Sequence, residues 1–219
     1  MKTFSSEEWK KIYEKNLSQL MKSCDEFPWH LKEAYAAWLV QTFHLVKHTT
    51  RFIALTSARM PFERNDIHYD LVNHFREEKG HDRMAADDLK NIGYETTDFP
   101  ELPETQAIVR SQYYAIDYLH PFAHFGYSFC FEGLAVKKAG DISKAVNKHL
   151  KAKNCTTFLD LHAEVDVAHF THAFEILKNI GWEETQQIVA NLELSCSLYE
   201  SLLTRLKQQA LKGQLKQVA

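Results

Sequence analysis

His162-Ala-Glu-Val-Asp166-Val-Ala-His169 sets two imidazoles and a carboxylate at i, i+4 and i+7, offsets that share one face of a helix. Phe170, Phe174, Ile176 and Leu177 keep the helical period after it, so the polar triplet is directed to the side a bundle would bury. Buried polar side chains need partners, and a metal ion would satisfy all three. The reading that follows is an all-α chain whose core holds a metal.

Outward from that helix the pattern resolves into about seven helices with short punctuation and no strand pattern. Ser5-Ser6-Glu7-Glu8 reads as a capping start for a helix to about Lys22, and Phe27-Pro28 opens a long second one ending before Pro61. A third runs from about Asn65-Asp66 to Asn91-Ile92-Gly93, followed by a loop over Asp98–Pro103. The fourth covers Glu104 to about Tyr118 and bends near His120-Pro121, and the fifth covers Phe122 to Lys138, before Gly140. A short segment, Ile142 to Leu150, precedes the motif helix, which ends at Asn179-Ile-Gly181, and the last spans about Glu183 to Lys212. Its tail is expected to fray from about residue 213.

The chain has 219 residues, only 7 Gly and 5 Pro, and no linker composition, which fits a single helical domain over residues 1–219. A formal charge of −3 without strong asymmetry argues against nucleic acid or an anionic membrane as partner. No signal peptide or bilayer-length apolar run is evident, and the four cysteines lack a Cys-x-x-Cys spacing. The expectation is a reduced, cytoplasmic protein.

The separation of Glu132 from Asp166 equals that of His44 from Glu78, and each carboxylate has a histidine three residues on, His169 and His81. Each half thus offers one ligand on one helix and a carboxylate-x-x-His pair on the next, the way bundles assemble a dinuclear carboxylate site. The candidate metal ligands are His44, Glu78, His81, Glu132, His162, Asp166 and His169. Mixed nitrogen and oxygen donors without thiolate suit a pair of iron ions, or manganese, with Glu132 or Glu78 as a bridge.

The order and spacing of His81, Glu132 and His162-x3-Asp166-x2-His169 resemble the haem-oxygenase-like diiron oxidases and oxygenases, as does the run Glu77–Asp82 followed by Asp87–Gly93. That family includes a fatty-acid-decarboxylating oxidase making terminal alkenes, N-oxygenases of amino-acid-derived substrates and a chlamydial protein linked to para-aminobenzoate synthesis. The resemblance implies a seven-helix bundle related to thiaminase-II-like and PQQ-synthase-like proteins. It also implies two ferrous ions, oxygen activation, and oxidation of a small amino-acid-derived or fatty-acid-like molecule. Members usually carry a glutamate where His44 falls, yet no acidic residue lies between Glu33 and Glu63, so His44 or His48 stands in for it or the first metal site is altered. His74 is a spare ligand on the His81 face.

Dioxygen and a small-molecule substrate are the expected partners, with an external electron donor, and long helices with apolar positions favour a homodimer. Arg51, seven residues after His44, is a candidate to hold a substrate carboxylate, although a solvent-facing position fits it equally. Read singly, His48, His74, His120, His124 and His172 are hydrogen-bonded core residues. Two alternatives stay open. An HD-type phosphohydrolase would use His44 or His48, His81-Asp82 and Asp166 but leaves Glu132, His162 and His169 unexplained. A non-catalytic bundle would bind a small molecule, or haem through one axial imidazole.

Overall fold

A computed structural model describes residues 6–177 and 180–215, the side chains of residues 6, 167–173, 176 and 177 excepted. Among the described residues there is no strand, and the helices are α1 (Ser6–Asp25), α2 (Lys32–Val46), α3 (Thr49–Arg59), α4 (Asn65–Glu77), α5 (His81–Asn91), α6 (Pro103–Tyr114), α7 (Ala123–Leu150), α8 (Thr157–Leu177) and α9 (Trp182–Leu211). Taken as rods they number seven, because α2 with α3 and α4 with α5 are each one predicted helix broken in the middle. None is long and apolar enough to cross a membrane.

The breaks have local causes. At the first, the Lys47 and His48 amides turn back to carbonyls at Phe43 and Leu45, while the His48 ring stacks on Phe52 and its Nδ1 lies 2.9 Å from the Tyr113 hydroxyl. At the second, Gly80 takes φ +99°, a left-handed backbone that ends α4 and restarts the chain as α5 at His81. Glu78 and His81 therefore flank a turn and do not share one helix. The expected stop at Gly140 is absent, and α7 runs through it for 28 residues. Packing of α7 between α8 and α9 outweighs a glycine's helix penalty of about 1 kcal/mol. A bend follows Tyr114, where one π-helical turn spans Ala115–Leu119 ahead of Pro121.

The core lies along α7. At Gly126 the α9 backbone comes so close that a Cβ would run into the Ile188 carbonyl oxygen and stand 2.6 Å from the Leu192 amide nitrogen. Buried amides pin the remaining rods. Gln41 on α2 donates to Pro100 O at 2.8 Å and accepts from Leu102 N and Thr105 Oγ1, and Asn191 on α9 donates to Gln112 on α6 and to Ala123 O. Each of these side chains is satisfied, so the network fixes helix register without leaving a desolvated polar atom. The capping residue expected at Ser5, the end of the frayed tail and Asn179 lie outside the described residues.

Candidate metal centre

α8 carries the motif, and a clamp from α5 holds its first turn. Asp88 is fully buried; its Oδ1 accepts from Thr157 N at 3.1 Å and Thr157 Oγ1 at 2.6 Å, and its Oδ2 from Phe158 N at 2.9 Å. A carboxylate at a helix start satisfies amides that have no partner within the helix and complements the dipole. Burial raises the Asp88 carboxyl, although the bonds from α8 oppose the shift. Because His81 begins the helix that bears Asp88, the clamp also sets His81 against α8.

There the His81 and His162 rings lie 4.8 Å apart, inclined at 75°. His162 Nδ1 is 2.7 Å from Phe158 O, which can only accept, so Nδ1 carries a proton and Nε2 is the ring nitrogen left for a ligand bond. His81 Nδ1 lies 3.0 Å from Glu78 Oε2. One ligand atom from each of Glu78, His81 and His162 falls within 4.8 Å of the others. His74 Nε2 continues the chain, 3.5 Å from Glu78 Oε1 and 3.9 Å from Glu132 Oε1. Burial works to raise the Glu78 carboxyl, but hydrogen bonds and charge from His74 and His81 win and hold it well below the carboxylate range.

The cluster opens on a cavity of about 120 Å³ bounded by Glu78, Glu132, His162 and Asp166 together with Trp38, Leu134 and Phe158. Asp166 is 1% exposed, and Glu132 faces the same space from α7. The side chain of His169 lies outside the described residues. Imidazole and carboxylate donors, without thiolate, suit iron, and His162 Nε2 is the ring nitrogen left to bind it. Cys24 borders the cavity as well, but burial, aided by Asp25, pushes its thiol up to about 12, which removes it as a nucleophile at neutral pH.

Two expected site residues stand elsewhere. His44 is turned away from the cavity, its Nδ1 2.8 Å from Lys47 Nζ and 3.7 Å from Glu101 Oε2, and burial followed by the Lys47 charge lowers its pKa. The reason is helical phase: Trp38, Thr42, Leu45 and Val46 take the cavity-facing positions of α2, and Thr49 and Ile53 those of α3. Arg51 is exposed and donates to Lys47 O at 2.6 Å, so it does not reach the cavity. The match between two halves of the chain accordingly fails on the His44 side. Asp82, which a phosphohydrolase reading needs, is half-buried and does not line the cavity.

His74, the spare ligand expected on the His81 face, and His124, which carried no pattern, both line the cavity. For His74 a signal existed, its position on the helical face leading to Glu78. His48 and His120 do make hydrogen bonds, to the Tyr113 hydroxyl and from Phe122 N, and His172 lies outside the described side chains.

Comparison with known proteins places these observations in a family context. A family profile described as iron-containing redox enzyme matches residues 36–200. Comparison with curated proteins finds no match. Among solved structures, a domain of unknown function with a heme oxygenase-like fold from Shewanella denitrificans OS217 is 23% identical, with 96% of each chain covered and a TM-score of 0.77. A TenA homologue from Pseudomonas syringae pv. tomato DC3000 is 13% identical over 91% of this chain and 93% of its own, with a TM-score of 0.73. A CADD-like protein of unknown function from Nostoc punctiforme PCC 73102 is 15% identical over 94% and 99%, with a TM-score of 0.65. At these identities the likeness is one of fold.

Proposed function

From the premise that this chain belongs to the iron-containing redox enzyme family, we propose that it is a non-haem diiron oxidase or oxygenase that uses dioxygen to oxidise a small organic molecule. One observation carries the reading: Glu78, His81 and His162 present ligand atoms within 4.8 Å of one another beside a largely apolar cavity. Glu132 and Asp166 on the same cavity, with His169 three residues further along α8, complete the proposed ligand set. Bound ferrous iron would supply the electrons that activate dioxygen.

The chain's own residues supply the rest. Phe158 O and Glu78 each hold the Nδ1 of a histidine and turn its Nε2 outward as a ligand. Asp88 sets the distance between the two helices that bear these rings. Trp38, Leu134 and Phe158 keep water from the cavity and present an apolar surface to the substrate. Inserting one oxygen atom into a C–H or N–H bond reduces the other to water and takes two electrons and two protons from outside, so an oxygenase turnover needs an external electron donor.

The test is anaerobic loading with ferrous iron followed by exposure to oxygen in an oxygen electrode. Oxygen uptake above that of free iron, lost in Glu132→Ala and His162→Ala, is expected. Phosphoesterase turnover without oxygen would overturn the reading.

A further inference from the structure

One buried group of the cavity has no task in this chemistry. His124, in the first turn of α7, is 1% exposed and lines the cavity with Thr49, Ile53 and Tyr127. Neither ring nitrogen has a hydrogen-bond partner among the described residues. Both nitrogens are shut off from bulk water, so in the folded protein only something inside the cavity can satisfy them.

The remainder of the cavity tells what that something is attached to. Along α7 the lining passes from His124 through Glu132 to Leu134, Ala135, Ala139 and Ile142, and Trp38 and Phe158 face it from other helices. Lys138 is the one cation among the described lining residues, and it is held by Asp25 at 2.6 Å. Away from the carboxylate and imidazole cluster the space is largely apolar, and next to that cluster it meets the His124 ring. A neutral imidazole offers one N–H and one lone pair. These lie on diverging edges of the ring, so one polar group meets one of them, and a hydroxyl or a primary amide can meet either by accepting or by donating. A carboxylate only accepts and would set its electron density against the ring's lone pair.

We propose that His124 is the head-group site of the substrate, holding a neutral hydroxyl-like group by a hydrogen bond at one ring nitrogen while an apolar body runs past Glu132 toward Trp38 and Phe158. This rests on the proposed function only for what happens to the molecule afterwards; binding needs no metal. The bond to be oxidised then lies in the apolar body, away from the head.

Hexan-1-ol and hexanoate titrated into the metal-free protein test it, with affinity read from tryptophan fluorescence and the ring followed by long-range ¹H–¹⁵N spectra. The alcohol is expected to bind about ten-fold more tightly than hexanoate and to move the His124 ring resonances. In His124→Phe the alcohol weakens about ten-fold while hexanoate stays within about two-fold, and in His124→Gln, which keeps a donor and an acceptor, alcohol binding stays within about three-fold. Equal alcohol affinity in wild type and His124→Phe, a preference for hexanoate in wild type, or a folded His124→Gln that binds as poorly as the phenylalanine variant would overturn it. Should His124→Phe fail to fold, the wild-type ring decides: resonances that move with the alcohol support the site, and resonances that stay put refute it. Loss of iron uptake in His124→Phe would make the ring a metal ligand and also end the proposal. Alcohol binding as expected in a wild-type protein that takes up no iron would leave the head-group site standing and defeat the proposed function.

Discussion

Glu78 and His124 border the same cavity and are almost equally hidden from water, yet the fold treats them in opposite ways. Glu78 has an imidazole on each carboxylate oxygen, His74 at 3.5 Å and His81 at 3.0 Å, and its charge is held in place against burial. His124 has no such partner; burial pushes it down to about 3, and it stays neutral. Charge survives in a desolvated pocket only where a counter-group is built beside it. The cavity is therefore equipped for a cation around Glu78 and for uncharged polar matter at His124.

The largest effect is expected at the charged end. His162→Ala or Glu78→Ala should cut iron-dependent oxygen uptake about 100-fold or more, because each removes a ligand atom from the cluster. Oxygen uptake that survives both changes would mean that the two ends do not differ in the way described.

Next comes the clamp that brings the charged end together. Asp88→Ala leaves two buried amides and a hydroxyl at the start of α8 without their acceptor, a cost of about 3 kcal/mol in urea unfolding. A loss of stability without a loss of iron affinity would show that His81 and His162 find each other without it.

The neutral end has a signature in acid. Above pH 6.5 the His124 ring is uncharged in folded and unfolded chains alike; below it the unfolded chain takes up a proton that the folded one refuses until about pH 3. Stability from this group is thus present above pH 6.5 and lost as pH falls, by about 2 kcal/mol at pH 5. Glu78 also loses its contribution in acid, as pH falls through its lowered folded value, so the difference between wild type and His124→Phe in the metal-free protein isolates the histidine. Parallel pH curves for the two proteins would mean that the ring has a partner after all.

The smallest effect is at the turn between Glu78 and His81. Gly80→Ala forces a side chain into φ +99° and should cost about 1 kcal/mol. It should also lower iron affinity, by loosening the contact of Glu78 with His81.

How much of this was legible depends on whether a pattern spanned each residue. The α8 motif has the helical spacing that its geometry requires, and His162 and Asp166 reach the cavity as that spacing implies. Glu78-x-x-His81 was legible for a different reason than the one that operates: a glycine turn, not one helix face, brings the pair to 3.0 Å. The all-α bundle could be read from periodicity, whereas the break at Lys47–His48 could not, because the Tyr113 contact that accompanies it comes from α6. His44 rested on its spacing from Glu78 and on the position where the resembling family carries a glutamate; its helical phase was set by which face of α2 the core buried. His124 carried no spacing at all, and its place on the same cavity as Glu78 is one that only tertiary structure displays. Asp88 carried no spacing that marked it as buried, and its burial depends on the start of α8 packing against it.

The central claim is that residues from α4, α5, α7 and α8 converge to hold iron. Titration of the metal-free protein with ferrous iron under anaerobic conditions, followed by metal analysis, addresses it without reference to substrate. About two ions per chain are expected, with clear loss in His162→Ala. Wild-type protein that retains no stoichiometric iron, or that retains it unchanged when His162 and Glu78 are both removed, would contradict the account.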